Sequence, residues 1–361
     1  MKYIAKYTLL FTILLFLNCS QEKEEVLQIN GKVIGTETKS ILLVKPNQDM
    51  RFDSLIEIPV IDGKFQYKEK LTNSEAVTLL LGEAKQNGGG RIMPLFLENE
   101  KIELTIHSED NFDKNQVVGG ELNKQYQIYK NTADSLFKEK PFEERLKWRQ
   151  EYIYKNPNMV SYSLFLEQLV YFKEYIDINL AKRNFEKLKE KNPGHHYNKL
   201  ASNLLNAITN IRIGKKYIDF SAPDLYGNKI KLSDKINGKV ALLDLWATWC
   251  GPCIAKSRTM LPLYNEYKDK GFTIIGVAGE FKNTDRLVKF LEKEKWEWIN
   301  LVELDRQNNI WQKYGLDGGG GGIFLIDKNG LILAKDPTAE EVRIELESRL
   351  NYKLKRYIKN S

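Results

Sequence analysis

The chain has 361 residues, 42% of them hydrophobic and 11% aromatic, with 55 basic and 48 acidic side chains for a formal charge of +7. That composition excludes an intrinsically disordered chain, and the length exceeds one typical domain. A positive surplus this small, spread along the whole chain, gives no basis for nucleic-acid binding.

The N-terminus, MKYIAKYTLLFTILLFLNCSQEKEE, places two lysines ahead of an apolar run from Thr8 to Leu17. The run is too short to span a bilayer comfortably, and a basic start followed by such a run predicts an export signal over residues 1–18. Cys19 follows at once. The pattern resembles a bacterial lipoprotein signal, in which Cys19 becomes the lipidated first residue and residues 19–25 a polar tether; Phe16-Leu17-Asn18 is a loose version of the usual small-residue pattern. Each buried CH₂ of a lipid chain contributes about 0.8 kcal/mol, so several chains make a stable anchor. The expected location is the cell envelope, lipid-anchored to a membrane, with the outer membrane favoured because Ser20 does not point to inner-membrane retention. The acidic QEKEE leaves periplasmic and surface faces both open.

Residues 26–118 read as strands: VLQINGKVIG, SILLVKP, SLIEIPVIDGKFQYKEKL, AVTLLLGEA and IMPLFLENEKIELTIHS. Asp62-Gly63 and Glu98-Asn99-Glu100 fall between apolar runs where hairpin turns belong. The simplest reading is a small antiparallel β-sandwich with Gly88 to Gly90 as a surface loop. No Lys-Ser/Thr follows those glycines, so they do not read as a phosphate cradle.

Residues 119–214 change texture, with dense charge and apolar residues at helical spacing, as in SLFLEQLVYFKEYIDINLAKRNFEKL. Leu166, Leu169, Val170 and Ile176 fall near one face, which predicts three or more helices broken near Pro141, Asn156-Pro157 and Asn192-Pro193-Gly194. Tyr171, Phe172 and Tyr175 read as part of the core stripe. His195-His196 read as a solvated loop rather than a metal pair, because adjacent residues on a turn rarely share one ion and no acid or cysteine accompanies them in sequence.

Residues 215–361 alternate strand and helix. KVALLDLWA is a buried strand, a helix runs from CGPC to about Lys270, and GFTIIGVAGE and TDRLVKFLEKEK are the next strand and helix. GIFLIDKNGLILAK is a terminal hairpin and TAEEVRIELESRL a closing helix, a pattern that fits an α/β sandwich.

The three cysteines are Cys19, Cys250 and Cys253. With Cys19 lipidated, the other two form a single CxxC in an exported protein, which points to a redox pair. In LLDLWATWCGPC the strand ends at Trp246, a short loop exposes Cys250, and Pro252 sits in the first turn of a helix, where its missing N–H costs nothing. A helix N-terminus favours the thiolate, so Cys250 reads as nucleophile, and Cys253, one turn on, can resolve a mixed disulfide. Half a zinc site is the competing reading, but His107, His195 and His196 all lie outside this region and no metal is expected. A serine-hydrolase reading fails for want of a histidine base.

The run Asp244-Leu245-Trp246-Ala247-Thr248-Trp249-Cys250-Gly251-Pro252-Cys253 resembles the active site of thioredoxin. With the preceding DFSAPDLYGNKIKLSDKINGKV it is similar to the TlpA- and ResA-like thiol-disulfide oxidoreductases, thioredoxin-superfamily proteins related to AhpC/TSA, over about residues 215–361. The sandwich and helical region resemble the N-terminal extension of lipoprotein members of that group. The resemblance implies an α/β thioredoxin-like C-terminal domain, with Cys250 attacking a substrate disulfide, Cys253 resolving the intermediate, and Asp244 as the buried acid that accepts the resolving thiol's proton. Trp249, Gly251 and Pro252 would form the contact surface. A peroxidase of the same fold would carry a proline where Leu243 stands.

Two departures from the family pattern are evident. The loop facing CxxC carries a cis-proline in relatives, and here that position falls on Gly320 or Gly321 within Gly318 to Gly322, which predicts a trans loop without side chains at the substrate. After Cys253, Arg258 stands where a proline is usual, and Lys256 and Arg258 would favour the thiolate if they point inward. The expected activity is exchange with protein disulfides, in the reducing direction, needing an upstream thiol donor and no cofactor beyond the Cys250–Cys253 pair. The alternative is an envelope binding module with a degenerate redox loop.

Overall fold

The computed structural model describes residues 26–46, 48–316 and 320–350. The expected signal, Cys19 and tether, and Gly318 and Gly319, lie outside the described residues. Among the described residues no helix is long and apolar enough to cross a membrane.

The N-terminal unit consists of β1 (Leu27–Ile34), β2 (Ser40–Val44), β3 (Ile56–Pro59), β4 (Lys64–Glu69), β5 (Glu75–Leu81), the one-turn α1 (Ala84–Asn87), β6 (Met93–Leu97), β7 (Lys101–His107) and β8 (Gln116–Val118). Two four-stranded sheets stack, in the orders β4-β1-β7-β8 and β3-β2-β5-β6. The period-2 pattern does the sorting: along β7, Ile102, Leu104 and Ile106 are buried between the sheets while Lys101 and Glu103 face water.

The two expected hairpins are different connections. β3 pairs with β2 but β4 with β1, and β6 pairs with β5 but β7 with β1 and β8, so each turn carries the chain from one sheet to the other. Asp62 and Gly63 do reverse the chain, both with positive φ, yet only Ile61 and Lys64 bridge across them. A turn sets the reversal, whereas burial of both inward faces chooses the partner. One consequence is that β1 and β7 run parallel inside an otherwise antiparallel sandwich.

Five helices follow: α2 (Glu121–Leu136), α3 (Phe142–Lys155), α4 (Met159–Tyr171), α5 (Ile178–Lys191) and α6 (Tyr197–Asn210). Asn158 caps α4 by accepting from Ser161 N, and Asp177 caps α5 by accepting from Asn179 N and Leu180 N, each cap worth about 1 kcal/mol. The helices cover the outer face of the second sheet, so Ala76 and Phe96 share a core with Tyr162, Phe165 and Leu204. Asn123 seals the join, accepting from Phe96 N and donating to Phe96 O.

Two readings change here. Tyr171 is 66% exposed and Tyr175 is also exposed, with Phe172 only half-buried, because they lie at and beyond the end of α4 where the helical stripe no longer faces the core. His195 is buried at 3% exposure rather than solvated. Its Nε2 meets Ser74 O at 3.1 Å and its Nδ1 accepts from Tyr197 N at 3.1 Å. Glu75, His195 and His196 do cluster. With the Nδ1 lone pair taken and Nε2 donating, however, His195 has nothing left for a metal.

The C-terminal unit opens with the hairpin β9 (Ser221–Pro223) and β10 (Lys229–Lys231) and the short α7 (Leu232–Ile236). It continues through β11 (Val240–Trp246), α8 (Gly251–Tyr267), β12 (Phe272–Glu280), α9 (Asp285–Glu294), β13 (Ile299–Leu304) and α10 (Ile310–Lys313) to β14 (Gly322–Ile326), β15 (Ile332–Lys335) and α11 (Ala339–Arg349). The sheet order is β13-β12-β11-β14-β15, with β11, β12 and β13 parallel, β14 antiparallel to β11, and β15 antiparallel to β14. β11 is buried along its whole length, as a central strand covered on both faces must be. α6 docks on this unit through Asn203, whose side chain donates to Gln312 Oε1, and through Ile211 in the core with Phe220 and Tyr314.

Candidate active site

β11 ends at Trp246, whose indole is fully buried and donates to Asn300 Oδ1 at 3.1 Å. Thr248 and Trp249, in the loop that follows, are held from β12. Glu280, buried at its end, accepts from Thr248 N at 2.7 Å and from Thr248 Oγ1 at 2.8 Å, and Trp249 Nε1 donates to Gly279 O at 2.8 Å. Burial pushes the Glu280 carboxyl up, and the two Thr248 hydrogen bonds oppose that. Cys250 then occupies the N-cap of α8, with Pro252 in the first turn and Cys253 one turn on. The two cysteines are joined in a disulfide, their Cα atoms 5.3 Å apart. α8 continues through Pro262 without a break.

Beneath the disulfide, Asp244 is 2% exposed. Its burial pushes the carboxyl up to about 7, and the Ser257 hydrogen bond pulls the other way. Ser257 lies four residues after Cys253 on α8, with Oγ 2.5 Å from Asp244 Oδ2 and 2.9 Å from Cys253 O. A cleft of about 310 Å³ opens over this arrangement, lined by Asp244, Trp249, Cys250 and Cys253 and bounded at the helix start by Gly251 and Pro252.

Gly320 and Gly321 line the same cleft. Gly321 N donates to Cys253 Sγ at 3.3 Å, and a Cβ on Gly321 would stand 2.1 Å from Leu245 O and 2.8 Å from that sulfur. Bulk is excluded there by backbone as well as by the disulfide. Gly320 is exposed, with open space around it, and the described peptide bonds are all trans.

All eight residues expected at the site, Asp244, Trp249, Cys250, Gly251, Pro252, Cys253, Gly320 and Gly321, therefore lie together. Accessibility differs from expectation: Cys250 is not displayed by its loop but is 7% exposed, and Cys253 is half-buried. Of the two nearby cations, Lys256 lines the cleft and pairs with Asp336 at 3.2 Å. Arg258 points away and holds Glu294 by two hydrogen bonds of 2.8 and 2.7 Å. Three contributors escaped the sequence reading. Ser257 was legible in principle, one turn beyond Cys253 on the same helix face; Glu280 and Arg51, which also lines the cleft, had no local signal.

A parallel-antiparallel five-stranded sheet with a CxxC disulfide at the N-terminus of the helix after its central strand defines a thioredoxin-fold dithiol protein. Residues 213–335 match the AhpC/TSA family, and residues 27–126 match a domain of unknown function, DUF4369. The thiol-disulfide oxidoreductase ResA of Bacillus thuringiensis subsp. konkukian (strain 97-27) is 35% identical over 145 residues, covering 39% of this chain and 78% of the relative. The thiol:disulfide interchange protein DsbE of Pseudomonas fluorescens biotype C is 32% identical over 128 residues, covering 34% of this chain and 65% of the relative. A solved thiol:disulfide interchange protein from Bacteroides sp. is 30% identical and covers 39% of this chain and 91% of its own, with a TM-score of 0.35. The chain belongs to the TlpA/ResA-like thiol-disulfide oxidoreductases of the thioredoxin superfamily, and it is an enzyme of that class.

Proposed function

We propose that this oxidoreductase reduces protein disulfides in the cell envelope through Cys250 and Cys253, anchored by lipid on Cys19 to a membrane, with the outer membrane as the favoured site. In the reduced enzyme the Cys250 thiolate attacks one sulfur of the substrate disulfide, forming a mixed disulfide and releasing the first substrate thiolate, which takes up a proton. Cys253 passes its proton to Asp244 and attacks Cys250 Sγ. The Cys250–Cys253 disulfide forms as the mixed disulfide breaks, and the second substrate sulfur leaves as a thiolate that takes the proton back from Asp244. Two electrons have moved from enzyme to substrate, and an upstream dithiol donor restores the reduced pair.

The observation that carries the reading is the vertical arrangement of the site. The nucleophile caps the 17-residue α8, and an acid whose carboxyl is pushed up to about 7 lies under the resolving cysteine's turn. An acid poised there can take and return a proton at neutral pH. An intact cysteine pair over such an acid favours turnover over a binding-only module.

The test is a reduction potential for the pair, measured against defined thiol buffers, together with trapping by Cys253→Ser. A potential near about −270 mV and covalent capture of envelope proteins by Cys253→Ser are expected; a value near about −120 mV would make the protein an oxidant and defeat the direction proposed. Labelled lipid incorporated in wild type but not in Cys19→Ala tests the anchor, and membrane fractionation tests the location.

A further inference from the structure

The redox cleft is not built by the thioredoxin-like unit alone. Arg51, from the loop between β2 and β3 of the sandwich, lines it beside Cys250 and Cys253. Three kinds of contact hold that loop in place. Phe52 stacks on Phe281 with ring centroids 3.9 Å apart and planes 5° from parallel, and it meets Trp249 at 5.2 Å. Arg51 Cζ lies 4.6 Å over the Trp249 ring. Arg306 donates to Asp53 at 3.0 Å and stands 3.9 Å from Asp49.

These anchors sit at the edge of the chemistry. Trp249 precedes the nucleophile, and Phe281 follows Glu280, which holds Thr248. Asp49 takes the Arg51 Nε and one terminal amine at 2.9 and 2.6 Å, fixing the guanidinium's plane. A guanidinium carries five N–H donors, so the side chain that lines the cleft still has donors beyond those two. An extended polypeptide offers unpaired main-chain carbonyls to such donors, whereas a helix or sheet has already used its own. A flat folded surface also reaches poorly to a nucleophile that is 7% exposed and lines a cleft of about 310 Å³.

We propose that the loop of residues 48–54 adds one wall to the substrate cleft through Arg51, a specificity-determining residue held in place by Phe52, and that this wall selects a disulfide carried on an extended polypeptide segment. The inference rests on the reading of the site as a protein-disulfide reductase and narrows its substrate class. The sandwich thereby becomes part of the enzyme's recognition surface.

The experiment uses the full chain, reduced and then freed of reductant, and compares the second-order rate constant of its oxidation by two unstructured peptides joined by one disulfide with that for 5,5′-dithiobis(2-nitrobenzoate), which has no backbone. Arg51→Ala and Phe52→Ala should each lower the peptide-to-small-disulfide ratio at least about fivefold, the scale of one lost hydrogen bond or a comparable contact. Arg51→Lys, which keeps charge but not the planar fork, should fall between. Arg306→Ala, which loosens the loop without removing a cleft side chain, should shift the ratio the same way by less. A ratio unmoved in Arg51→Ala and Phe52→Ala, or one that rises because the loop obstructs, overturns the proposal, provided the unfolding midpoints match wild type. If a variant's midpoint falls, the Arg51→Lys and Arg306→Ala ratios decide by the same criterion. Wild type that is oxidised by the small disulfide but not by the peptides defeats the protein-disulfide reading itself, and the wall with it; a failed wall alone leaves wild type active on both.

Discussion

The Ser257 hydroxyl lies 2.5 Å from Asp244 Oδ2 and 2.9 Å from the Cys253 carbonyl, with one proton to share between them. When Asp244 is ionised the hydroxyl turns to the carboxylate. When Asp244 is protonated the acid can donate to Ser257 Oγ, and the hydroxyl proton goes to the carbonyl. Both protonation states therefore have a satisfied arrangement in a place where an unpaired polar group would be costly.

Asp244→Asn should slow the exchange at neutral pH by about 10²-fold, the lower end of what a positioned acid-base group supplies. Stopped-flow oxidation of the reduced enzyme as a function of pH checks it. Wild type should show an inflection near the pH at which Asp244 titrates, about 7, and the variant should lose it. An inflection that survives in Asp244→Asn would assign the titration to another group.

The same carboxyl makes a stability prediction with a definite sign. Its folded value of about 7 stands above the ordinary aspartate value of 3.8, so between those pH values the folded state holds more protons than the unfolded state. Stability then falls as pH rises through the window, by at most about 4 kcal/mol. Urea unfolding of oxidised wild type at pH 5 and pH 8 should show the loss, and Asp244→Asn should flatten it.

Ser257→Ala removes the hydrogen bond that opposes the rise at Asp244. The inflection in the exchange rate should move to higher pH while the cysteine pair remains able to form its disulfide. A shift to lower pH would show that Ser257 stabilises the protonated acid instead.

Gly321→Ala places a methyl 2.1 Å from Leu245 O and 2.8 Å from Cys253 Sγ. The β11 backbone and the sulfur must both move, so a loss of about 1–3 kcal/mol in unfolding free energy and slower resolution of mixed disulfides are expected. Gly320→Ala meets nothing within 4 Å and should leave stability unchanged. Chemical denaturation of the two variants side by side tests the contrast.

Arg258→Ala should leave both exchange rate and thiol titration where they are, because its guanidinium is committed to Glu294 on α9 and exposed to solvent. A lowered rate would mean that the cation acts on Cys250 from a distance. Iodoacetamide labelling of reduced protein across pH measures it.

Much of the fold was readable because its causes are local. Alternation placed Ile102, Leu104 and Ile106 inward, helical spacing placed Leu166 and Leu169, and Pro141, Pro157 and Pro193 marked helix ends. β13 was missed, being an edge strand after a helix with no turn signal of its own. Strand partnership was also misread at Asp62-Gly63, since a turn residue reports a reversal and not the sheet that receives the chain.

At the site, spacing along one continuous strand-loop-helix segment placed Cys250, Pro252 and Cys253 at a helix start, and the resemblance to thioredoxin pointed to Asp244 six residues earlier on the strand. Tertiary structure decided the environment. The burial that lifts Asp244, the backbone wall that holds position 321 to glycine, the inward Lys256 and outward Arg258, and the Arg51–Phe52 loop across the cleft all arise from segments tens to hundreds of residues apart. Desolvation and steric exclusion depend on what packs nearby in space, and neither leaves a mark in local spacing.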